Sequence, residues 1–256
     1  MWQAYELPNS VEEALAILAR YDGQAQLIAG GTDLIIELQE GKNSVECLVD
    51  VTRIPGLDSI EERDGDVVLG ANVTFRQIKE SPLLHEKARV LAEAAGTVGA
   101  LQIQTVATLV GNLVSALPAA DGSVALRALD AEVEIAGQGG RAWRPVADLF
   151  LAPGQSAVDP RREMITAVRF AALGPRQGSA WERLGRRRAS YVYSGMIGAT
   201  FVIVALGVAT RLLPLPAAAA LLVVPLGVFA VRVAIRSCDD IPHLTPANAA
   251  TVVIHL

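Results

Sequence analysis

Between residues 183 and 238 the chain carries seven arginines and not one aspartate or glutamate. The preceding stretch is built differently. Residues 1–182 hold 15 basic and 25 acidic side chains, a balance of −10, against +5 for residues 183–256. Such an asymmetry points to two bodies with different surroundings. Inside the second, residues 212–231 are twenty uncharged, mostly apolar positions between Arg211 and Arg232. That length suffices to cross a bilayer. Pro214, Pro216 and Pro225 each remove a helical donor and argue against a regular span. Buried core elements, real divergence, or a truncated or frame-shifted tail are the other origins of such a segment. Attachment to a membrane through 212–231 is therefore kept as an alternative and is not the leading expectation.

Of the 256 residues, 52% are apolar, which excludes global disorder. A net charge of −5 does not supply the basic face of a nucleic-acid binder. Two cysteines, Cys47 and Cys238, are too few for a zinc ribbon or an iron–sulfur cluster. They fit a reducing compartment, and no apolar h-region follows a basic start, so a cytoplasmic location is expected. The three histidines, His85, His243 and His255, share no motif and are read as structural or solvent-facing.

Periodicity gives a mixed α and β pattern. Ser10 with Glu13 three residues on predicts a capped helix over 11–18, ended by Gly23. Residues 26–29 and 48–51 read as strands and 34–39 as a helix, which together make a small βαβ unit. Strands are predicted over 66–71, 131–136 and 164–170, with helices over 74–80 and 84–95.

Two segments carry the chemistry. In Ala29-Gly30-Gly31-Thr32-Asp33, two glycines permit positive φ and close approach of a phosphate to the backbone. The helix start that follows offers unpaired N–H groups, and Thr32 adds a hydroxyl. An ordinary tight turn would have the same composition. Residues 102–113, from Gln102 through Gln104, Thr105, Thr108, Val110, Gly111 and Asn112, read as a coil of small residues suited to an anion nest. Thr108 and Asn112 can donate to phosphate oxygens, and Asp121 can accept from a ribose or ribityl hydroxyl. A buried loop satisfying its own amides is the competing reading.

Ala29-Gly30-Gly31-Thr32-Asp33-Leu34, followed by Ala107-Thr108-Leu109-Val110-Gly111-Asn112-Leu113 with Pro118 and Asp121, resembles the FAD-binding medium subunit of the molybdenum hydroxylases. These are the carbon monoxide dehydrogenase and xanthine dehydrogenase type enzymes. Leu48-Val49-Asp50, Leu69-Gly70-Ala71, Phe150-Leu151-Ala152-Pro153-Gly154 and Glu182-Arg183-Leu184 lie in the matching order. The resemblance covers about residues 1–200.

It implies an α+β, two-subdomain PCMH-type FAD-binding fold over 1–175, divided near 55/56, followed by a divergent C-terminal segment, 176–256. It implies non-covalent FAD, with Leu27, Ile28, Ala29, Gly30, Gly31, Thr32, Asp33 and Leu34 wrapping the pyrophosphate from one side. Thr108, Leu109, Val110, Gly111 and Asn112 would wrap it from the other. Asp121 matches a further FAD contact, and Tyr191, with Tyr193 as the competing choice, falls where an aromatic can stack on the flavin. The implied role is electron transfer from partner iron–sulfur clusters through FAD to an external acceptor. A large partner subunit would carry the molybdenum cofactor and a small one two [2Fe–2S] clusters. No catalytic residue and no metal ligand is expected in this chain.

The sequence departs from the family at Val110, where a glycine is usual, and at Gln104-Thr105, where Arg-Asn is usual. A branched side chain at 110 restricts φ and crowds a phosphate, so Val110→Gly is expected to tighten binding. A scaffold relic that keeps the fold but not the flavin is the second alternative.

Overall fold

The computed structural model describes residues 2–117, 120–182 and 186–236. Pro118, Arg183, Leu184, Cys238, His243 and His255, all noted above, lie outside the described residues. The chain divides into two compact units, Met1–Trp181 and Glu182–Leu256.

The first unit opens with β1 (Ala4–Glu6), α1 (Val11–Arg20), β2 (Ala25–Ile28), α2 (Leu34–Gln39) and β3 (Cys47–Asp50). The three strands form a parallel sheet in the order β1-β3-β2. Central β3 is apolar throughout Cys47-Leu48-Val49 and fully buried, as a strand covered on both faces must be. Ser10 caps α1 by accepting from the Glu13 amide at 3.1 Å, and Glu13 accepts from the Asn9 amide rather than that of Ser10. The helix ends at Arg20, before the expected Gly23; Asp22 and Gly23, both at positive φ, turn the chain into β2.

The rest of the unit comprises β4 (Ile60–Arg63), β5 (Asp66–Gly70), α3 (Phe75–Glu80), α4 (Pro82–Lys87), α5 (Arg89–Ala95), α6 (Leu101–Val106), α7 (Leu109–Val114) and α8 (Asp121–Ala128). There follow β6 (Glu132–Gly137), β7 (Gly140–Pro145), β8 (Phe150–Ala152), β9 (Gln155–Ser156) and β10 (Met164–Ala171). A five-stranded antiparallel sheet runs β4-β5-β10-β6-β7. Its edge strand β7 is mostly exposed and carries Arg141, Arg144 and Pro145, which blunt it against further pairing. Arg169 on β10 donates to Glu132 on β6 at 2.7 and 2.9 Å and lies 4.1 Å over the Trp143 ring on β7, tying three strands together.

Two expectations are corrected. Residues 84–95 are not one helix: Ala88, at φ −156° and ψ 53°, separates α4 from α5. Residues 102–113 are not coil: α6 and α7 occupy them, parted by extended Ala107 and Thr108. Residues 176–181 stay with the first unit. Ser179 accepts from the Val90 amide at 3.0 Å, and Glu93 accepts from the Trp181 amide at 3.1 Å. Hydrogen bonds from Arg89 and then from Trp181 hold the Glu93 carboxyl below its ordinary pKa.

The second unit contains α9 (Arg186–Ala209), a 3-10 segment (Leu215–Val223) and α10 (Val224–Arg236). Pro214 and Pro216 open the 3-10 segment and Pro225 falls in the first turn of α10, where a missing amide costs little. Residues 215–236 are thus helical throughout but not one regular α-helix, as the prolines led one to expect.

Candidate functional site

The strand β2 delivers the glycine turn to the helical layer of the same unit. Gly30 abuts the Val106–Ala107 peptide between α6 and α7. A Cβ there would stand 2.1 Å from the Val106 carbonyl oxygen and 3.0 Å from Ala107 Cα. Glycine at this position therefore serves the approach of two protein segments, while Gly30 also lines the cleft described below. Gly31 is the residue that needs conformational freedom, with φ +66°. A side chain there would meet Ile28 Cδ1 at 3.1 Å and Ile35 Cγ1 at 3.2 Å.

The two segments face one cleft of about 740 Å³, in the upper part of the range for small-molecule sites. It is lined by all of residues 27–34 and by Thr108, Val110, Gly111 and Asn112. Leu109 is instead core, 1% exposed. Asp121 opens α8 and does not line the cleft. Tyr191 and Tyr193 belong to α9 in the second unit, Tyr191 being 58% exposed.

The cleft presents neutral donors. Among the described residues, the amides of Gly30, Gly31, Thr32 and Asp33 have no acceptor, nor does that of Val110 in the first turn of α7. The Thr108 hydroxyl accepts from the Gly111 amide at 3.0 Å and keeps its proton to donate. Among the described residues, no lysine, arginine or histidine lines the cleft, and the charged ones that do are Asp33, Glu37, Asp159 and Glu163. Acceptors stand unpartnered as well: buried Oδ1 atoms of Asn72 and Asn112 have no hydrogen-bond partner among the described residues, and both residues line the cleft.

Asn72 was not singled out from the sequence. It follows Leu69-Gly70-Ala71, and its Nδ2 donates to the Val51 carbonyl at 2.7 Å, joining the end of β3 to the end of β5. The short β8–β9 hairpin and the loop after it add Gly154, Gln155, Ser156 and Asp159 to the lining. The Phe150-Leu151-Ala152-Pro153-Gly154 match pointed to that hairpin without identifying a role.

Val110 differs from the expectation in its surroundings. Its side chain is half-buried and packs against the apolar cores beneath both sheets, as well as facing the cleft.

Unpartnered amides and hydroxyls together with orphaned amide oxygens suit a ligand with a polyanionic centre and hydroxyl-bearing arms. The residues present fit a dinucleotide.

Comparison with known proteins converges on the same family. Residues 2–172 match the family described as the FAD binding domain in molybdopterin dehydrogenase. The chain is 31% identical over 185 residues to the nicotinate dehydrogenase FAD-subunit of Eubacterium barkeri, covering 71% of this chain and 62% of that protein. It is 29% identical over 191 residues to the carbon monoxide dehydrogenase medium chain of Hydrogenophaga pseudoflava, covering 75% and 66%. A solved structure of the carbon monoxide dehydrogenase of that organism superposes with a TM-score of 0.69 at 29% identity, covering 73% of this chain and 65% of that one. The chain thus spans less than two thirds of the length of these relatives. The family match and the superposition confirm the expected α+β, FAD-binding fold for the first unit: the chain belongs to the family of FAD binding domains of molybdopterin dehydrogenases.

Proposed function

We propose that this chain is the flavoprotein subunit of a molybdenum hydroxylase-type dehydrogenase, holding FAD non-covalently in the cleft between residues 27–34 and 108–112. The observation that carries this reading is the packing of Gly30 on the Val106–Ala107 peptide, which brings both glycine-containing segments to one cleft. The free amides of 30–33 and of Val110, with the Thr32 and Thr108 hydroxyls, would donate to the pyrophosphate. Asn72 and Asn112 would accept from ribose or ribityl hydroxyls. Among the described residues, no histidine, cysteine or tyrosine lines the cleft.

FAD, when bound, supplies the redox chemistry: it takes electrons from partner iron–sulfur clusters and yields them to an external acceptor. The chain's own residues bind it, orient it and shield its centre from water. A large subunit with the molybdenum cofactor and a small subunit with two [2Fe–2S] clusters would supply the rest, since two cysteines cannot hold the clusters here.

Titration of the flavin-free chain with FAD, FMN and riboflavin tests the reading. FAD is expected to bind at least about tenfold more tightly than FMN, a difference of about 1.4 kcal/mol. Equal affinities would contradict a pyrophosphate site, and binding of none would favour the flavin-deficient scaffold.

A further inference from the structure

The helices of the second unit turn the usual pattern of a soluble protein inside out. Residues Arg188–Ala209 and Leu215–Arg236 are each 22 residues long and strongly apolar; within them an apolar stretch of 18 residues is 0% buried in the first and 17% buried in the second. Val202, Ile203, Leu206, Leu222 and Phe229 stand exposed, Leu222 at 80%. The buried residues of α10 are the small ones, Gly227, Ala230 and Ala234. Neither feature suits a core helix, whose large side chains point inward. Both suit lipid, where helix contacts are made by small residues and large apolar ones face the chains.

The two segments run antiparallel. The Leu213 amide donates to the Gly207 carbonyl at 2.8 Å, and further along a Cβ on Gly227 would stand 2.6 Å from Phe201 and 3.4 Å from Ile197. At about 1.5 Å per residue the 22 residues of α9 from Arg188 reach about 33 Å, and the 3-10 segment, at about 2.0 Å per residue, with α10 reaches somewhat further, against a hydrocarbon core of about 30 Å. The Ser194 and Thr200 hydroxyls of α9, and that of Thr210 just after it, are satisfied by the preceding turn. Ser194 donates to the Ser190 carbonyl at 2.6 Å, Thr200 to Met196 at 2.9 Å and Thr210 to Leu206 at 2.7 Å. No water is needed for them, which is the condition a bilayer imposes.

The charges choose the occupant and the direction. Arg186, Arg187 and Arg188 open α9, and Arg232 and Arg236 close α10, so five arginines fall at one end of the hairpin. Only Arg211 lies at the turn. We propose that residues 186–236 form a membrane-embedded helical hairpin whose arginine-rich end lies on the cytoplasmic face, tethering the FAD-binding unit to that face. Arginines concentrate on the cytoplasmic side of spanning helices, and a bilayer, unlike a protein partner, explains an apolar length bounded by them at both ends.

The test uses the full chain expressed in a bacterial host. It is expected to sediment with membranes, to resist an alkaline carbonate wash, and to be released by a mild detergent as one defined species. Recovery in the soluble fraction, as a monomer or as any oligomer, overturns the proposal, and so does a pellet that detergent does not release. The double variant Ile203→Asp, Leu222→Asp is expected to lose carbonate resistance while the first unit keeps its far-UV circular dichroism; retained resistance overturns the proposal. For direction, Thr210→Cys in spheroplasts is expected to react with a membrane-impermeant maleimide before lysis. Labelling only after lysis overturns the assigned orientation.

Discussion

Glycines 30, 31 and 111 look alike in sequence and do different work. Gly30 is fixed by a backbone carbonyl 2.1 Å from where its Cβ would be, so Gly30→Ala must push two segments apart. It is predicted to cost about 1–3 kcal/mol of stability and to abolish flavin retention, read by melting temperature and by the flavin-to-protein ratio. Gly31→Val meets a positive φ as well as Ile28 and Ile35. The strain, of order 1–3 kcal/mol, falls on the turn, so occupancy should drop by about tenfold or more while the fold survives. Gly111→Ala meets only the Thr108 hydroxyl at 3.0 Å and should be mild in both readouts. An insoluble Gly31→Val, or a Gly30→Ala with full flavin, would contradict these roles. Val110→Gly separates two effects of opposite sign. Loss of packing against both cores should lower stability by about 1–2 kcal/mol. Removal of a branched side chain from the cleft should tighten FAD binding, and a titration reads that separately. The role of Gly30 was not legible in sequence, because it depends on Val106 and Ala107, far along the chain.

Elements whose determinants are local were legible. Ser10 and Glu13 specify the start of α1, and the 34–39 spacing specifies α2 to the residue. Asp64-Gly65, both at positive φ between β4 and β5, is a readable hairpin signal that the periodicity scan passed over. The break at Ala88 and the pair α6–α7 were not legible: packing of short helices against the antiparallel sheet overrides weak propensity there. Asn72 belongs to this scale because it joins two elements. Asn72→Ala removes one of two donors to the buried Val51 carbonyl, which keeps the Ile54 amide at 3.2 Å, and is predicted to cost about 0.5–1.5 kcal/mol in chemical denaturation. It should also weaken FAD binding, since the unpartnered Oδ1 in the cleft is lost. Unchanged stability would show that the bridge between the sheets is idle.

For the whole molecule, the charge asymmetry read from the sequence corresponds to a real division at Trp181/Glu182. What the sequence did not disclose is that, among the described residues, no cationic side chain lines the cleft. A dianionic pyrophosphate held by amides and hydroxyls makes few ion-pair contacts for salt to screen. FAD affinity is therefore predicted to change less than about threefold between low and high salt, checked by titration at the two ionic strengths. A steep decline would place an arginine or lysine on the phosphates. The most direct measurement is the visible spectrum and flavin content of the purified full chain, kept in mild detergent. The account predicts one FAD per chain, wholly released by acid as intact dinucleotide. A colourless chain that takes up no added FAD, or flavin that stays on the denatured polypeptide, would contradict it.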